Sequence, residues 1–279
     1  MVDAGLTHAG WLERVPDLVA TWRNEWGLQL GEPYQAGAAG YTARAELADG
    51  TRAVLKIVYP HRESEHEADA LEHWSGEGAV RLLARSDDGY ALLLERCEPG
   101  TFLSEAGADT ALDVLIGLLP RLWIAAGEPF HLLVDEAAWW VSYLPRQWDA
   151  VRPPYERRLL DAALAALTEL PPTQGEMVLL HQDLHAENVL AAGREPWLVI
   201  DPKPLVGERE FAIAPIVRSF ELGQSRRDVL YRFDRITSEL GLDRERARAW
   251  TIGQTLAWSF ASTYSTQHLQ TATWLLESA

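Results

Sequence analysis

Along residues 11–28, WLERVPDLVATWRNEWGL, apolar side chains recur every three or four positions, the spacing of an amphipathic helix broken or begun near Pro16. From 31 to 58 the texture changes. Apolar and polar residues alternate loosely, Asp49-Gly50 forms a hairpin-turn pair, and RAVLKIVY closes the stretch as an apolar strand. Residues 61–78, HRESEHEADALEHWSGEG, return to helical spacing and stop at a glycine. AVRLLAR and YALLLERCEPG then read as two further strands around the Asp87-Asp88-Gly89 turn. The pattern predicts a small antiparallel sheet with one helix over 31–97.

Beyond Glu98-Pro99-Gly100 the helical period takes over, at 108–126, 134–150 and 155–170, with prolines marking the connections. PWLVIDPKP is a short strand running into an aspartate, and 209–279 is again mostly helical. No internal repeat and no low-complexity tract interrupts this order. The expected class is α+β with two lobes: residues 1–97 as a sheet lobe carrying an N-terminal helix, and 98–279 as a larger helical lobe.

Composition narrows the function classes. With 279 residues, 47% of them hydrophobic and 12 tryptophans, the chain can bury a large core or two cores flanking a cleft. A net charge of −16 disfavours nucleic-acid binding, which needs a basic face, and suits a cationic small molecule. The single cysteine, Cys97, excludes an internal disulfide and a cysteine-based zinc site. The start MVDAGLTHAG lacks a secretory pattern and VLIGLLPRLW is cut by Pro120 and Arg121, so a soluble cytoplasmic protein without membrane contact is expected. Only two of the 25 basic residues are lysines, Lys56 and Lys203. Each therefore asks what a slim ammonium does there that a broad guanidinium cannot.

Candidate chemistry concentrates in VLLHQDLHAENVLAAG, where His181, Asp183, His185, Glu187 and Asn188 crowd between two apolar runs. One reading is a metal cage of His181, Asp183 and His185; the other is a phosphoryl-transfer loop. In the second, Asp183 accepts a proton, while Asn188, five positions on, and Asp201, thirteen further, supply the hard oxygen ligands that Mg²⁺ prefers. Lys56 lies within an apolar strand, where an ammonium needs a partner unless it snorkels from a sheet edge. On helical spacing Glu67 shares an inward face with Ala70, Leu71 and Trp74, as does Glu63, which makes Glu67 the nearest partner for Lys56. Gly37 and Gly40 flank a turn between strands that could lay backbone N–H groups over phosphates.

His181-x-Asp183-x-x-x-x-Asn188 followed by VIDPKP, with the strand lysine and helix glutamate upstream, resembles the aminoglycoside phosphotransferase branch of the protein-kinase-like fold. LLHQDLHAENVLAAGREPWLVIDPKPLVGE, EGAVRLLAR and ALLLERCEPG are similar to the streptomycin 6-kinase and hydroxyurea phosphotransferase group, with likeness from about 30 to 245. The resemblance implies a bilobal fold, ATP and Mg²⁺ as cofactors, and a hydroxyl acceptor on a small cationic molecule. It further implies that Asp183 takes the acceptor proton and that Asn188 and Asp201 hold Mg²⁺. Lys56, placed by Glu67, would neutralise the α- and β-phosphates, and Gly37 to Gly40 would cover them. The backbone of Glu95 to Cys97 would bond adenine. One position departs from the family: Phe211-Ala212 has alanine where an aspartate usually anchors the catalytic loop. Carboxylates to hold the acceptor are expected from Glu187 and Glu208, and from Asp135 or Glu136, with Trp139-Trp140 as stacking faces; if these acids belong only to the general negative charge, the acceptor is neutral.

Overall fold

The structure, a computed structural model, describes residues 7–34, 40–150, 155–260 and 265–278. Its contacts divide the chain into two compact units, Met1–Thr101 with Leu190–Lys203, and Phe102–Val189 with Pro204–Ala279.

In the first unit, helix α1 (His8–Glu25) starts where the Thr7 side chain accepts from Gly10 N, and it carries Pro16 inside. Five antiparallel strands follow: β1 (Gln29–Pro33), β2 (Gly40–Glu46), β3 (Arg52–Val58), β4 (Leu82–Arg85) and β5 (Ala91–Glu95). Their order in the sheet is β1-β2-β3-β5-β4. The β2–β3 hairpin turns where Gly50 takes φ +82 and Thr51 N donates to Asp49 Oδ1. Along β3 the pleat sends Ala53, Leu55 and Ile57 into a core with Trp11, Leu28 and Leu93, which leaves Lys56 on the opposite face.

The helix expected over 61–78 is shorter. A 3-10 turn at Arg62–Ser64, with His61 accepting from Glu63 N, precedes α2 (Glu67–Trp74). Glu63 consequently sits outside α2 and is exposed, so it does not share the inward face expected of it. Residues 190–203 join this unit through strand β8 (Trp197–Val199), which pairs with β7 (Val189–Ala191). Val199 exchanges backbone bonds with Gly78 and Val80. Arg194 forks onto both oxygens of Glu95, at 3.0 Å each, and bonds the carbonyls of Gly76 and Ala79.

The second unit is helical around one short ladder. It contains α3 (Ala108–Leu122), α4 (Leu133–Ala150), α5 (Arg157–Glu169), α6 (Ala214–Arg218), α7 (Arg226–Glu239), α8 (Arg244–Ser259) and α9 (Ser265–Leu276). β6 (Val178–Leu180) pairs antiparallel with β9 (Leu205–Gly207). Gly207 is required by packing, because a Cβ there would lie 2.6 Å from the Leu133 side chain. Aromatic rings fill the centre: Phe211 stacks on Trp140 at 6.0 Å and meets Trp250 edge-on at 5.4 Å. Helix α8 buries Ala247, Trp250, Thr251, Gln254 and Leu256, so polar Thr251 and Gln254 face protein along with its apolar side chains. No helix among the described residues is long and apolar enough to cross a membrane.

Candidate active site

In the first unit, β3 lies between β2 and β5, so Lys56 is central and cannot snorkel from an edge. Its Nζ lies 2.5 Å from Glu67 Oε1 and 2.5 Å from Asp201 Oδ1. The strand therefore meets the cost of burying an ammonium with two carboxylates. Burial alone would depress the Lys56 pKa, but Asp201 and Glu67 outweigh it and raise it above the ordinary value. Burial raises the Glu67 carboxyl, against the pull of Lys56. Asp201 sits just beyond β8 at φ +57, a costly backbone for a non-glycine residue, with 44% of its side chain exposed. Lys203 Nζ stands 3.8 Å from its other oxygen, Oδ2.

Gly40 opens β2 where a Cβ would come within 3.0 Å of Ile57 O; Gly37 lies outside the described residues. The Glu95 side chain is occupied by Arg194 and by Arg81 N, which leaves only backbone groups of that segment for a ligand. Burial pushes the Cys97 thiol up to about 12, so it stays protonated.

In the second unit the polar crowd forms a tight loop between β6 and a 3-10 turn at Ala186–Asn188. His181 is buried, and its Nδ1 accepts from Asp183 N at 3.3 Å. Asn188 Nδ2 donates to Asp183 O at 2.8 Å, which leaves the amide oxygen as the atom to offer a ligand. Gln182 takes φ +62, and its carbonyl accepts from Gln254 Nε2 on α8 at 3.2 Å. Gln254 Oε1 in turn accepts from Arg218 Nη1 at 2.8 Å. Arg218 lies over the Trp258 ring at 4.4 Å and places Nη2 3.6 Å from Asp183 Oδ1. The metal-cage reading fails on geometry: among the described residues, the ligand atoms of His181, Asp183 and His185 do not converge within 4.8 Å.

Asp183 and Glu187 border one cleft of about 170 Å³ with His185, Arg218, Glu221 and His268. Burial would raise the Glu221 carboxyl, yet the 2.9 Å bond from His185 Nδ1 holds it down at about 2, while His185 is raised in return. Burial, helped by Arg218, pushes His268 down to about 4, so its ring is neutral near pH 7. His268 Nδ1 is buried without a hydrogen-bond partner.

The other acids named for the acceptor do not line this cleft. Glu208 is 1% exposed, and its carboxylate accepts from Arg246 Nε, Trp250 Nε1 and Gly175 N, so it anchors α8 to β9 and has no oxygen to spare for an acceptor. Glu136 is 4% exposed within α4, whereas Asp135 is exposed on its first turn. Of the tryptophan pair, Trp140 is core and Trp139 is exposed, stacked on Tyr143 at 4.8 Å. Arg218, Glu221, Gln254 and His268 escaped the sequence reading because each sits in an ordinary helical or loop context far along the chain. The only available signal was an excess of polar residues on the apolar period of α8.

Residues 30–265 match the family model described as aminoglycoside/hydroxyurea antibiotic resistance kinase. The chain is 41% identical to the hydroxyurea phosphotransferase of Kitasatospora aureofaciens over 264 residues, covering 91% of this chain and 76% of that one. It is 39% identical to the streptomycin 6-kinase of Streptomyces griseus over 261 residues, covering 91% and 85%. Among solved structures, the choline kinase LicA from Streptococcus pneumoniae superposes with a TM-score of 0.68 at 15% identity, over 96% of this chain and 100% of that one. At that identity the likeness concerns the fold, and the expected α+β, kinase-like architecture with an antiparallel sheet and a helical part is the one present.

Proposed function

Since this chain belongs to the aminoglycoside/hydroxyurea antibiotic resistance kinase family, we propose that it transfers the terminal phosphoryl group of ATP to a hydroxyl of a small cationic molecule, an aminoglycoside or aminocyclitol of the streptomycin kind. The observation that carries this is Lys56, buried in a central strand and held at 2.5 Å by both Glu67 and Asp201. A lysine so placed is a preformed point charge for phosphates. Asp183 accepts the hydroxyl proton as the acceptor oxygen bonds to phosphorus and the bond to the ADP oxygen breaks. Arg218 and Asn188 orient it, through its carboxylate and its backbone carbonyl respectively. Lys56, set by Glu67, neutralises the inner phosphates, Gly40 at the start of β2 covers them, and the backbone from Glu95 to Cys97 receives adenine.

The donor chemistry suits magnesium: Asp201 offers a carboxylate and Asn188 an amide oxygen, both hard ligands of the kind that ion prefers. Bound Mg²⁺ would offset charge on the phosphates. Glu187 and Glu221 border the cleft with Asp183; Glu221 is paired with His185, and Glu187 supports an ammonium or guanidinium of the acceptor.

A second reading, a small neutral hydroxylated acceptor, draws on two features of the same cleft: its volume of about 170 Å³ and the Arg218 cation beside Asp183. Ligand pockets for drug-sized molecules run from roughly 300 Å³ upward. A coupled ADP-release screen over aminoglycosides, amino sugars and hydroxyurea decides between them. Turnover with a cationic aminocyclitol supports the first reading, turnover with neutral acceptors alone supports the second, and ADP release with none overturns both.

A further inference from the structure

Helix α9 packs through His268, Thr271, Ala272 and Leu275, which fall at i, i+3, i+4 and i+7 on one helical face. Ala272 and Leu275 are wholly buried, as core positions should be, and Thr271 Oγ1 accepts from Gln224 Nε2 at 3.3 Å. The same amide reaches the carbonyl of Gln267 at 3.1 Å, so the helix is tied down at the residue just before His268. His268 itself departs from the pattern. It is 7% exposed, yet its Nδ1 is buried with no hydrogen-bond partner. A polar atom in that state is destabilising, and an apolar side chain of similar size would fill the stripe without it.

The place of the ring gives the polar choice a reason. His268 borders the cleft that also holds Asp183, Glu187 and Arg218, all within the second unit. Burial, helped by Arg218, holds the imidazole down at about 4, so near pH 7 it is uncharged, with one N–H and one lone pair. It adds no charge to a cleft already lined by a guanidinium and carboxylates. What it offers is a hydrogen bond. A hydroxyl can meet Nδ1 whichever tautomer the ring holds, since it donates to a lone pair and accepts from an N–H. A half-turn about χ2, a broad two-fold torsion, exchanges Nδ1 with the carbon edge of the ring, so the nitrogen can be turned towards a ligand.

We propose that His268 is an acceptor-recognition residue, whose imidazole hydrogen-bonds a second hydroxyl of the acceptor, next to the one that Asp183 deprotonates. This rests on the phosphotransferase reading above, with a polyhydroxylated aminocyclitol as the acceptor. The second hydroxyl does not react, so its bond to His268 is equally strong in the bound substrate and in the transition state. Losing such a bond raises the KM for the acceptor and leaves kcat nearly unchanged. The orphaned nitrogen is then a feature of the empty cleft alone, satisfied when the acceptor is seated.

The test uses the full chain with ATP and streptomycin, and compares the parent with His268→Leu and His268→Asn by steady-state ADP release and thermal midpoint at pH 7. Leucine keeps the bulk and removes both nitrogens. It should raise the KM for streptomycin about five- to tenfold, the worth of one hydrogen bond, with kcat and the KM for ATP within about twofold. Its thermal midpoint should stay at or above that of the parent, because no buried nitrogen is left without a partner. Asparagine sets an amide near the place of Nδ1 and should bring the KM for streptomycin back to within about threefold. A parent-like KM for streptomycin in His268→Leu, an equal rise in the KM for ATP, or no recovery in His268→Asn each overturns the proposal. Should His268→Leu lose its midpoint, imidazole ¹⁵N spectra of the parent decide: streptomycin should shift the His268 Nδ1 resonance, and one that stays in place refutes the contact. A parent that turns over no streptomycin overturns the aminocyclitol reading, and this inference with it.

Discussion

Asp183 and His268 border the same cleft, and their environments set them to different tasks. Asp183 has Arg218 near its carboxylate and Asn188 on its carbonyl, so an amide in its place preserves shape and removes only the proton acceptor. Asp183→Asn should lower kcat by about a hundredfold or more while Mg·ATP affinity stays near that of the parent, since general-base catalysis contributes roughly 10²–10⁴. Steady-state kinetics beside nucleotide titration checks this, and near-parent turnover would remove Asp183 from the role. His268 offers a pH signature. The folded protein keeps it neutral down to about pH 4, whereas the unfolded chain protonates it near 6.5. Its contribution to stability is therefore complete above pH 6.5 and drains away as pH falls towards 4, about 2 kcal/mol of it by pH 5. Urea midpoints at pH 7 and pH 5 should show a smaller drop in His268→Gln than in the parent; equal drops would mean the imidazole titrates freely.

At the scale of elements, α8 supports the loop that carries Asp183. Gln254 reaches from α8 to the carbonyl of Gln182, whose φ of +62 needs support, and simultaneously accepts from Arg218. Glu208 ties the same helix to β9 through Arg246 and Trp250. Gln254→Leu removes both bonds and takes one acceptor from the buried Arg218 guanidinium. That should cost about 1.5–3 kcal/mol of stability, the range for hydrogen bonds to charged groups. If Gln254 is a positioning residue, kcat should also fall several-fold with Mg·ATP affinity preserved, because a loop displaced by even an ångström orients its carboxylate poorly. A variant that is less stable but keeps its kcat would show that the loop is positioned by other contacts.

For the molecule as a whole, a net charge of −16 acts on any charged acceptor before contact. A cationic aminocyclitol should show a KM that rises with ionic strength between about 20 mM and 300 mM salt, because screening shortens the reach of the field. A neutral acceptor should show no such rise. A KM for a cationic acceptor that ignored salt would confine recognition to contacts within the cleft, with Glu187 the first carboxylate to replace.

The amino-acid order by itself determined the elements and the chemistry that is local along the chain. Period-two alternation with Asp49-Gly50 made the β2–β3 hairpin legible, and three- and four-residue spacing did the same for α3, α4 and α5. The Lys56–Glu67 pair was legible because helix and strand follow each other directly, so inward-facing positions meet. Tertiary structure alone decided what depends on distant segments. Residues 190–203 join the sheet unit through Arg194 and Val199, contacts from 99 to 121 positions apart that no local period encodes. Glu208 became a buried anchor because Arg246 and Trp250 lie on one face of α8, and Arg218 and Gln254 came to the loop of Asp183 for the same kind of reason. A charged residue's sequence neighbours report its own element, whereas its desolvation and its partners are properties of the packed assembly of elements.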